Sequence, residues 1–333
     1  MTRHSKIARL FFPCQLALVL AVIVTGCAGS PTPQETPSAT LPPTVASTPT
    51  TSPAPTPTAV ESDSRYFELM MQSENFKVYF HSQDSEFAGN LIRVGEEVFP
   101  LLLKTYGDMP PDWTAVFVYS DWEEATRLGS FPPFVSPSST TGEFDTFEPL
   151  GDGVKLYIPS KEKVWSLMTE RFMKNLMAHE VGHRFFYHAY PNIRKPVRPD
   201  WLDEGLAGYV GIEASQMWKT GFCFDTLVQA VKASEPPLAG LDALDKLHES
   251  GETQALFGDE ALSVICYIYV TYGEKALREI LIEYNQSISL SQAFERVLGV
   301  PYTEFQKSWL NRIRELAAQA NNGAQFYSLL MES

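Results

Sequence analysis

The chain reads as an α+β fold on three observations. Strand-like segments are confined to its first half, helical patterns fill everything beyond residue 160, and no internal repeat is present. Its 333 residues, 44 % apolar and 12 % aromatic, suffice for one good-sized domain or two fused subdomains with a real core. The globular pattern begins near residue 65. Phe76–Phe80 alternates at period two, which predicts a strand. Residues 85–106 place Phe87, Leu91, Val94, Val98 and Leu102 three and four apart, a helix that Pro100 is expected to kink or end early. After the turn at residues 107–111, Thr114–Tyr119 is a second strand with a continuous apolar run. Residues 129–153 are rich in Gly, Pro, Ser and Thr and read as a long irregular loop, of the kind that serves binding sites. Val154–Ile158 is a third strand, closed by Pro159. The helical second half then forms its own lobe.

Before the globular part lie two segments of different character. Residues 1–9 carry Arg3, Lys6 and Arg9 and no acid, and Leu10–Val24 is an apolar run of about 15 residues, short for a bilayer span. It ends in Val24-Thr25-Gly26-Cys27, which resembles a bacterial lipobox. That resemblance implies a signal peptide over residues 1–26, with Cys27 lipidated as the new N-terminus and the protein anchored by lipid outside the cytoplasm. Residues 28–60 hold 9 Pro, 9 Thr and 4 Ser with one charge, so they cannot bury enough apolar area to offset their ordering entropy. The span 27–64 is expected to be an extended stalk, of which residues 28–60 alone reach up to about 100 Å at roughly 3.1 Å per residue.

A formal charge of −14 argues against nucleic-acid partners, which are bound by neutralising phosphates with Lys and Arg. Of the four cysteines, Cys14 leaves with the signal and Cys27 takes lipid. Cys223 and Cys266 are left either as a disulfide or as two buried thiols.

The chemistry is concentrated in His179-Glu180-Val181-Gly182-His183, an H-E-x-x-H motif. Phe172, Met173, Leu176, Met177, Val181 and Phe185 repeat at helical spacing through it. Histidines at i and i+4 stand one turn apart on one helix face, so both imidazoles can reach one metal ion, zinc by default. Glu180, beside that face, is placed to take a proton from a water at the metal rather than to ligate. Gly182 inside the helix costs about 1 kcal/mol relative to Ala, which an idle helix has no reason to carry.

A catalytic zinc takes a third protein ligand. A His six residues beyond the second His, with Gly midway, is excluded, because Ala189 and Phe186 stand there and His188 is off register. The segment Pro199-Asp200-Trp201-Leu202-Asp203-Glu204-Gly205-Leu206-Ala207 instead begins a second helix, with Asp200 as N-cap, Asp203 at N3, and an apolar stripe through Leu202, Leu206, Tyr209 and Val210. Glu204, 21 residues after His183, is the ligand candidate, with Asp200 and Asp203 competing.

His-Glu-Val-Gly-His followed by Trp-Leu-Asp-Glu-Gly-Leu-Ala resembles the peptidase MA-like domain of the gluzincins, a clan with a thermolysin-like zinc core. The resemblance extends weakly to Phe76–Phe80 with its following helix, to Tyr272-Gly273-Glu274, and to Ala293-Phe294 through Leu298-Gly299 to Trp309, covering about residues 70–315. It implies a zincin-like catalytic domain over residues 65–320, followed by a tail over 321–333. It further implies one zinc held by His179, His183 and Glu204, with Glu180 as general base, hydrolysing peptide bonds in a peptide or protein substrate. Val154–Ile158 would be the edge strand against which an extended peptide pairs.

The chain departs from the family in two places. Gly258-Asp259-Glu260 stands where members often carry Tyr, leaving Tyr209, Tyr267 and Tyr269 as candidate oxyanion donors. The Gly-x-Met-Glu-Asn amine anchor of the related aminopeptidases is absent, with Glu143 and Glu148 as weak substitutes, which favours an endopeptidase. The competing expectation is a non-catalytic envelope lipoprotein whose zinc is a staple closed by a fourth ligand, His188 or Asp200. A metal-free substrate-binding lipoprotein is the third.

Overall fold

The computed structural model describes residues 66–332 apart from 111–112, 120–141, 145–152, 158–169, 194–198, 221–222, 235–237, 242, 245–253 and 287. The signal-like segment and the stalk therefore lie outside the described residues. Strands β1 (Leu69–Gln72), β2 (Phe76–Phe80), β3 (Thr114–Tyr119), β4 (Gly142–Phe144) and β5 (Gly153–Tyr157) form one sheet in the order β1-β2-β3-β5-β4. The inner pairs β2/β3 and β3/β5 are parallel, while β1 and β4 run antiparallel on the two edges. Helices α1 (Ser85–Tyr106), α2 (Glu170–Ala189), α3 (Asp200–Ser215), α4 (Asp225–Ala233), α5 (Gln254–Tyr272), α6 (Glu274–Asn285), α7 (Leu290–Leu298), α8 (Tyr302–Gln319) and α9 (Gly323–Met331) make up the rest. The α+β class is thus present as read, with every described strand before residue 160.

Alternation explains the sheet's inner face. Phe76, Val78 and Phe80 are buried while Lys77 and Tyr79 are half-exposed, and β3 buries Val116 and Val118 in the same phase. Helix α1 covers that face with Leu91, Val94, Val98 and Leu102, each such side chain contributing roughly 1.5–3 kcal/mol of burial. Edge-on aromatic contacts carry the packing onward: Phe76 to Phe99 at 6.1 Å, then Phe99 to Phe185 of α2 at 5.3 Å. Helix α2 is thereby fixed against both α1 and the sheet.

Three elements differ from the sequence reading. Helix α1 does not end at Pro100; it continues six residues to Tyr106, because Pro100 lies on the exposed face, where a displaced backbone carbonyl meets water. Gly107, in the left-handed region at φ 80°, terminates it, with its N–H on the Leu103 carbonyl at 2.8 Å. Within the segment read as irregular, Gly142–Phe144 forms β4. As a consequence, the third strand read from the sequence (here β5, Gly153–Tyr157) is not the edge of the sheet: β4 covers it, pairing Gly142 with Leu156 and Phe144 with Val154.

In the helical lobe α5 is apolar on nearly all sides and sits at its centre, with Val264, Ile265, Cys266 and Ile268 fully buried. Trp309 of α8 anchors there by donating its Nε1–H to Ser263 Oγ at 3.1 Å. Residues 321–333, read as a tail, contain α9, which is docked rather than loose. Phe326, Tyr327 and Leu330 are buried, and the Tyr327 hydroxyl donates to Glu213 of α3.

Candidate metal centre

Two helices that touch along their length build the site. Gly182 is the reason α2 and α3 come so close: a Cβ there would stand 3.0 Å from the Tyr106 hydroxyl and 3.2 Å from Val210 Cγ2. The cost of a mid-helix glycine is thereby accounted for by packing. On its other side α3 is held by Gly205, whose Cβ would lie only 2.6 Å from the Ala261 carbonyl oxygen of α5. Helix α3 is clamped between the H-E-x-x-H helix and the apolar centre of the lobe, and Glu204 is one residue from that clamp.

His179, His183 and Glu204 meet in the gap between α2 and α3, all three buried. His179 Nε2 and His183 Nε2 are 3.3 Å apart, and Glu204 Oε2 lies 3.4 Å from the first and 3.9 Å from the second. Ligand atoms of a tetrahedral ion with bonds of about 2.0–2.1 Å stand about 3.3–3.4 Å apart, so the three donors fit one face of such a tetrahedron. The group can hold a metal ion. Two imidazole nitrogens and one carboxylate oxygen form a borderline donor set, unlike the all-oxygen cages of magnesium and calcium.

Asp203, a competing ligand candidate in the sequence, occupies a different place. Its Oδ1 accepts from His183 Nδ1–H at 2.8 Å, and its Oδ2 accepts from the Tyr187 hydroxyl at 2.9 Å. A carboxylate only accepts, so the Nδ1 of His183 carries a proton, and in the neutral ring Nε2 is then the lone pair facing His179 and Glu204. Asp200 is the first helical residue of α3 rather than its N-cap, which is Pro199, and it does not join the ligand group. His188 turns away to the surface, with Nε2 3.5 Å from Asp108 Oδ2. Among the described residues the ligand group has three members, and neither residue expected to close it as a fourth belongs to it.

Charge at the centre follows from burial and from these neighbours. Burial pushes the Glu180 carboxyl up to about 7, against the opposing pull of His179 and His183. For Glu204 burial also acts upward, but the nearby imidazoles of His183 and His179 outweigh it and hold the group down at about 2. His183 is disfavoured as a cation by burial, yet Asp203 and Glu204 more than compensate and raise it to about 9. The site is a buried acid–base cluster in which Glu180 titrates near neutrality.

The tyrosines considered as oxyanion donors are engaged elsewhere. Tyr209 packs on Tyr269 at 5.4 Å around a cavity of about 80 Å³ between α1, α3, α5 and α6. Tyr267 sits among Tyr272 and Phe305. Of the substitutes for an amine anchor, Glu143 falls on β4 and Glu148 lies outside the described residues. Cys223 and Cys266 are unbridged, buried thiols. Cys27 and its lipidation lie outside the described residues.

The sequence reading missed Tyr187 and the role of Asp203. The one available signal was spacing: Tyr187 follows His183 by four residues, on the same helix face. Compared with known proteins, the chain matches no family model, and no curated protein matches it.

Proposed function

We propose that the protein is a zinc metallopeptidase of the gluzincin type, with a zincin-like catalytic domain, held outside the bacterial cytoplasmic membrane by lipid on Cys27 and set off from it by the stalk. The observation that carries this reading is the convergence of His179, His183 and Glu204 at 3.3–3.9 Å with Glu180 buried beside them. A structural zinc is normally saturated by four protein ligands. A three-membered group among the described residues therefore favours the catalytic reading over the staple.

When bound, the zinc would supply Lewis acidity, lowering the pKa of a water and polarising a peptide carbonyl. The protein's own residues do the rest. His179, His183 and Glu204 would hold the ion. Glu180, buried beside them, accepts the proton of the attacking water and delivers it to the departing amine nitrogen. An extended peptide would add to β4, the antiparallel edge strand among the described residues, through backbone hydrogen bonds.

The test is hydrolysis of an unfolded protein substrate by the purified protein and by Glu180→Gln. Loss of a general base costs typically 10²–10⁴-fold. Cleavage by the wild type that falls by at least about 10²-fold in Glu180→Gln, with zinc retained, would support the assignment. Equal cleavage by both would remove Glu180 from the mechanism.

A further inference from the structure

Resting on the metal-centre reading above, we propose that Tyr187 is a positioning residue that sets the metal affinity of the site by acting through Asp203 on His183. One carboxylate bridges two residues of the same helix. Asp203 Oδ1 takes the Nδ1–H of His183 at 2.8 Å, and Oδ2 takes the hydroxyl of Tyr187 at 2.9 Å. Tyr187 stands one turn beyond His183, so the tyrosine, the carboxylate and the imidazole form a closed clasp between α2 and α3.

The clasp has a chemical consequence at each joint. Asp203 is 1 % exposed, and a carboxylate that deep in the protein needs donors on both oxygens. The Tyr187 hydroxyl supplies the donor that His183 cannot. Its hydrogen bond fixes the carboxylate plane, and the fixed Oδ1 in turn fixes both the tautomer and the ring orientation of His183. In the neutral imidazole, the form that binds a metal, Nε2 is thereby the unprotonated nitrogen, and it faces the point shared with His179 Nε2 and Glu204 Oε2. Groups that orient a ligating histidine in this way typically alter metal affinity by 10–100-fold. Removing only the Tyr187 hydroxyl takes a donor from Oδ2 and loosens the hold on the carboxylate plane, and with it the Oδ1–Nδ1 hydrogen bond.

A role through Asp203 is separable from a merely structural one by a double-mutant cycle in zinc affinity. Zinc dissociation constants would be measured on the purified protein, by competition with a chromophoric chelator, for wild type, Tyr187→Phe, Asp203→Asn and the double variant. Tyr190→Phe serves as the control. It removes a neighbouring hydroxyl that donates to the Tyr106 carbonyl at 3.4 Å rather than to Asp203. Tyr187→Phe is expected to weaken zinc binding by about tenfold or more, to add little once Asp203 is already Asn, and to leave the thermal midpoint of the metal-free protein close to that of Tyr190→Phe. Unchanged zinc affinity in Tyr187→Phe, or fully additive effects in the double variant, would overturn the proposal while leaving the metal centre intact. Absence of zinc binding in the wild type would overturn the metal-centre reading, and the clasp's role with it. Should Tyr187→Phe fold poorly, the same cycle run with Tyr187→His, which keeps a donor at shorter reach, must give a partial loss of affinity; none would count against the clasp.

Discussion

Gly205 and Gly208 lie three residues apart on α3 and should respond to alanine with opposite signs. At Gly205 a Cβ would stand 2.6 Å from the Ala261 carbonyl oxygen and 2.9 Å from its carbon, both backbone atoms of α5. No side chain can rotate away, so α3 has to withdraw by about 0.8 Å to reach the 3.4 Å of ordinary contact. Overpacking of a core costs about 1–3 kcal/mol, and a backbone clash belongs at the upper end of that range. Alanine returns about 1 kcal/mol of helix propensity, which leaves a net loss of about 2 kcal/mol. At Gly208 the nearest atom to a Cβ is Leu262 Cδ1 at 3.8 Å, so the propensity gain stands alone. For a domain of this size the thermal midpoint should fall by about 4–8 °C in Gly205→Ala and rise by about 1–4 °C in Gly208→Ala. Because Glu204 precedes Gly205, the first variant should also bind zinc more weakly. Calorimetry of the metal-free proteins, with zinc titration beside it, measures both effects. A Gly205→Ala protein as stable as wild type, or a destabilised Gly208→Ala, would refute the packing argument.

Three further outcomes are expected. Glu260 is fully buried, and burial lifts its carboxyl to about 8 against the pull of the Ala239 N–H. The folded protein therefore holds a proton there that the unfolded chain releases above about 4.5, so this group's contribution to stability is greatest below pH 4.5 and declines as pH rises toward 8. Urea unfolding at pH 5, 6, 7 and 8 should show wild type losing ground to Glu260→Gln by at most about 1.4 kcal/mol per pH unit; a pH-independent difference would contradict it. Deleting residues 321–333 removes the buried Phe326, Tyr327 and Leu330, each worth roughly 1.5–3 kcal/mol, and should destabilise the domain by several kcal/mol, whereas a dispensable tail would leave the denaturation midpoint unmoved. Cys223 and Cys266 should resist a thiol reagent in the native protein and react together on unfolding, since burial raises both thiols; rapid native labelling, or no labelling in denaturant without reductant, would speak against two buried free thiols.

The H-E-x-x-H helix was legible because its chemistry is local. His179 and His183 need only the i, i+4 geometry of one helix, and the apolar residues from Phe172 to Phe185 make that helix explicit. The first turns of α3 were legible only as a set. Asp200, Asp203 and Glu204 are equivalent acids in sequence, and what separates them is the angle at which α3 packs on α2, which depends on Gly182 and Gly205. That angle turns Glu204 toward the Nε2 atoms and Asp203 toward Nδ1. Strand β4 was invisible for another reason: three residues, Gly142-Glu143-Phe144, offer too short a pattern to display a period, and the strand exists through its pairing with β5. The order of strands, and hence which one forms the edge, is likewise a property of pairing rather than of any segment alone. Pro100 misled because a proline's cost depends on which face it occupies, and its exposure emerges only once α1 is laid on the sheet.

The central claim, an open three-ligand zinc site with Glu180 as base, is tested most directly by zinc stoichiometry on the purified protein beside Glu204→Ala and Glu180→Gln. The account predicts about one zinc per chain in the wild type, lost in Glu204→Ala and kept in Glu180→Gln. No zinc in the wild type, or a full complement in Glu204→Ala, would contradict it.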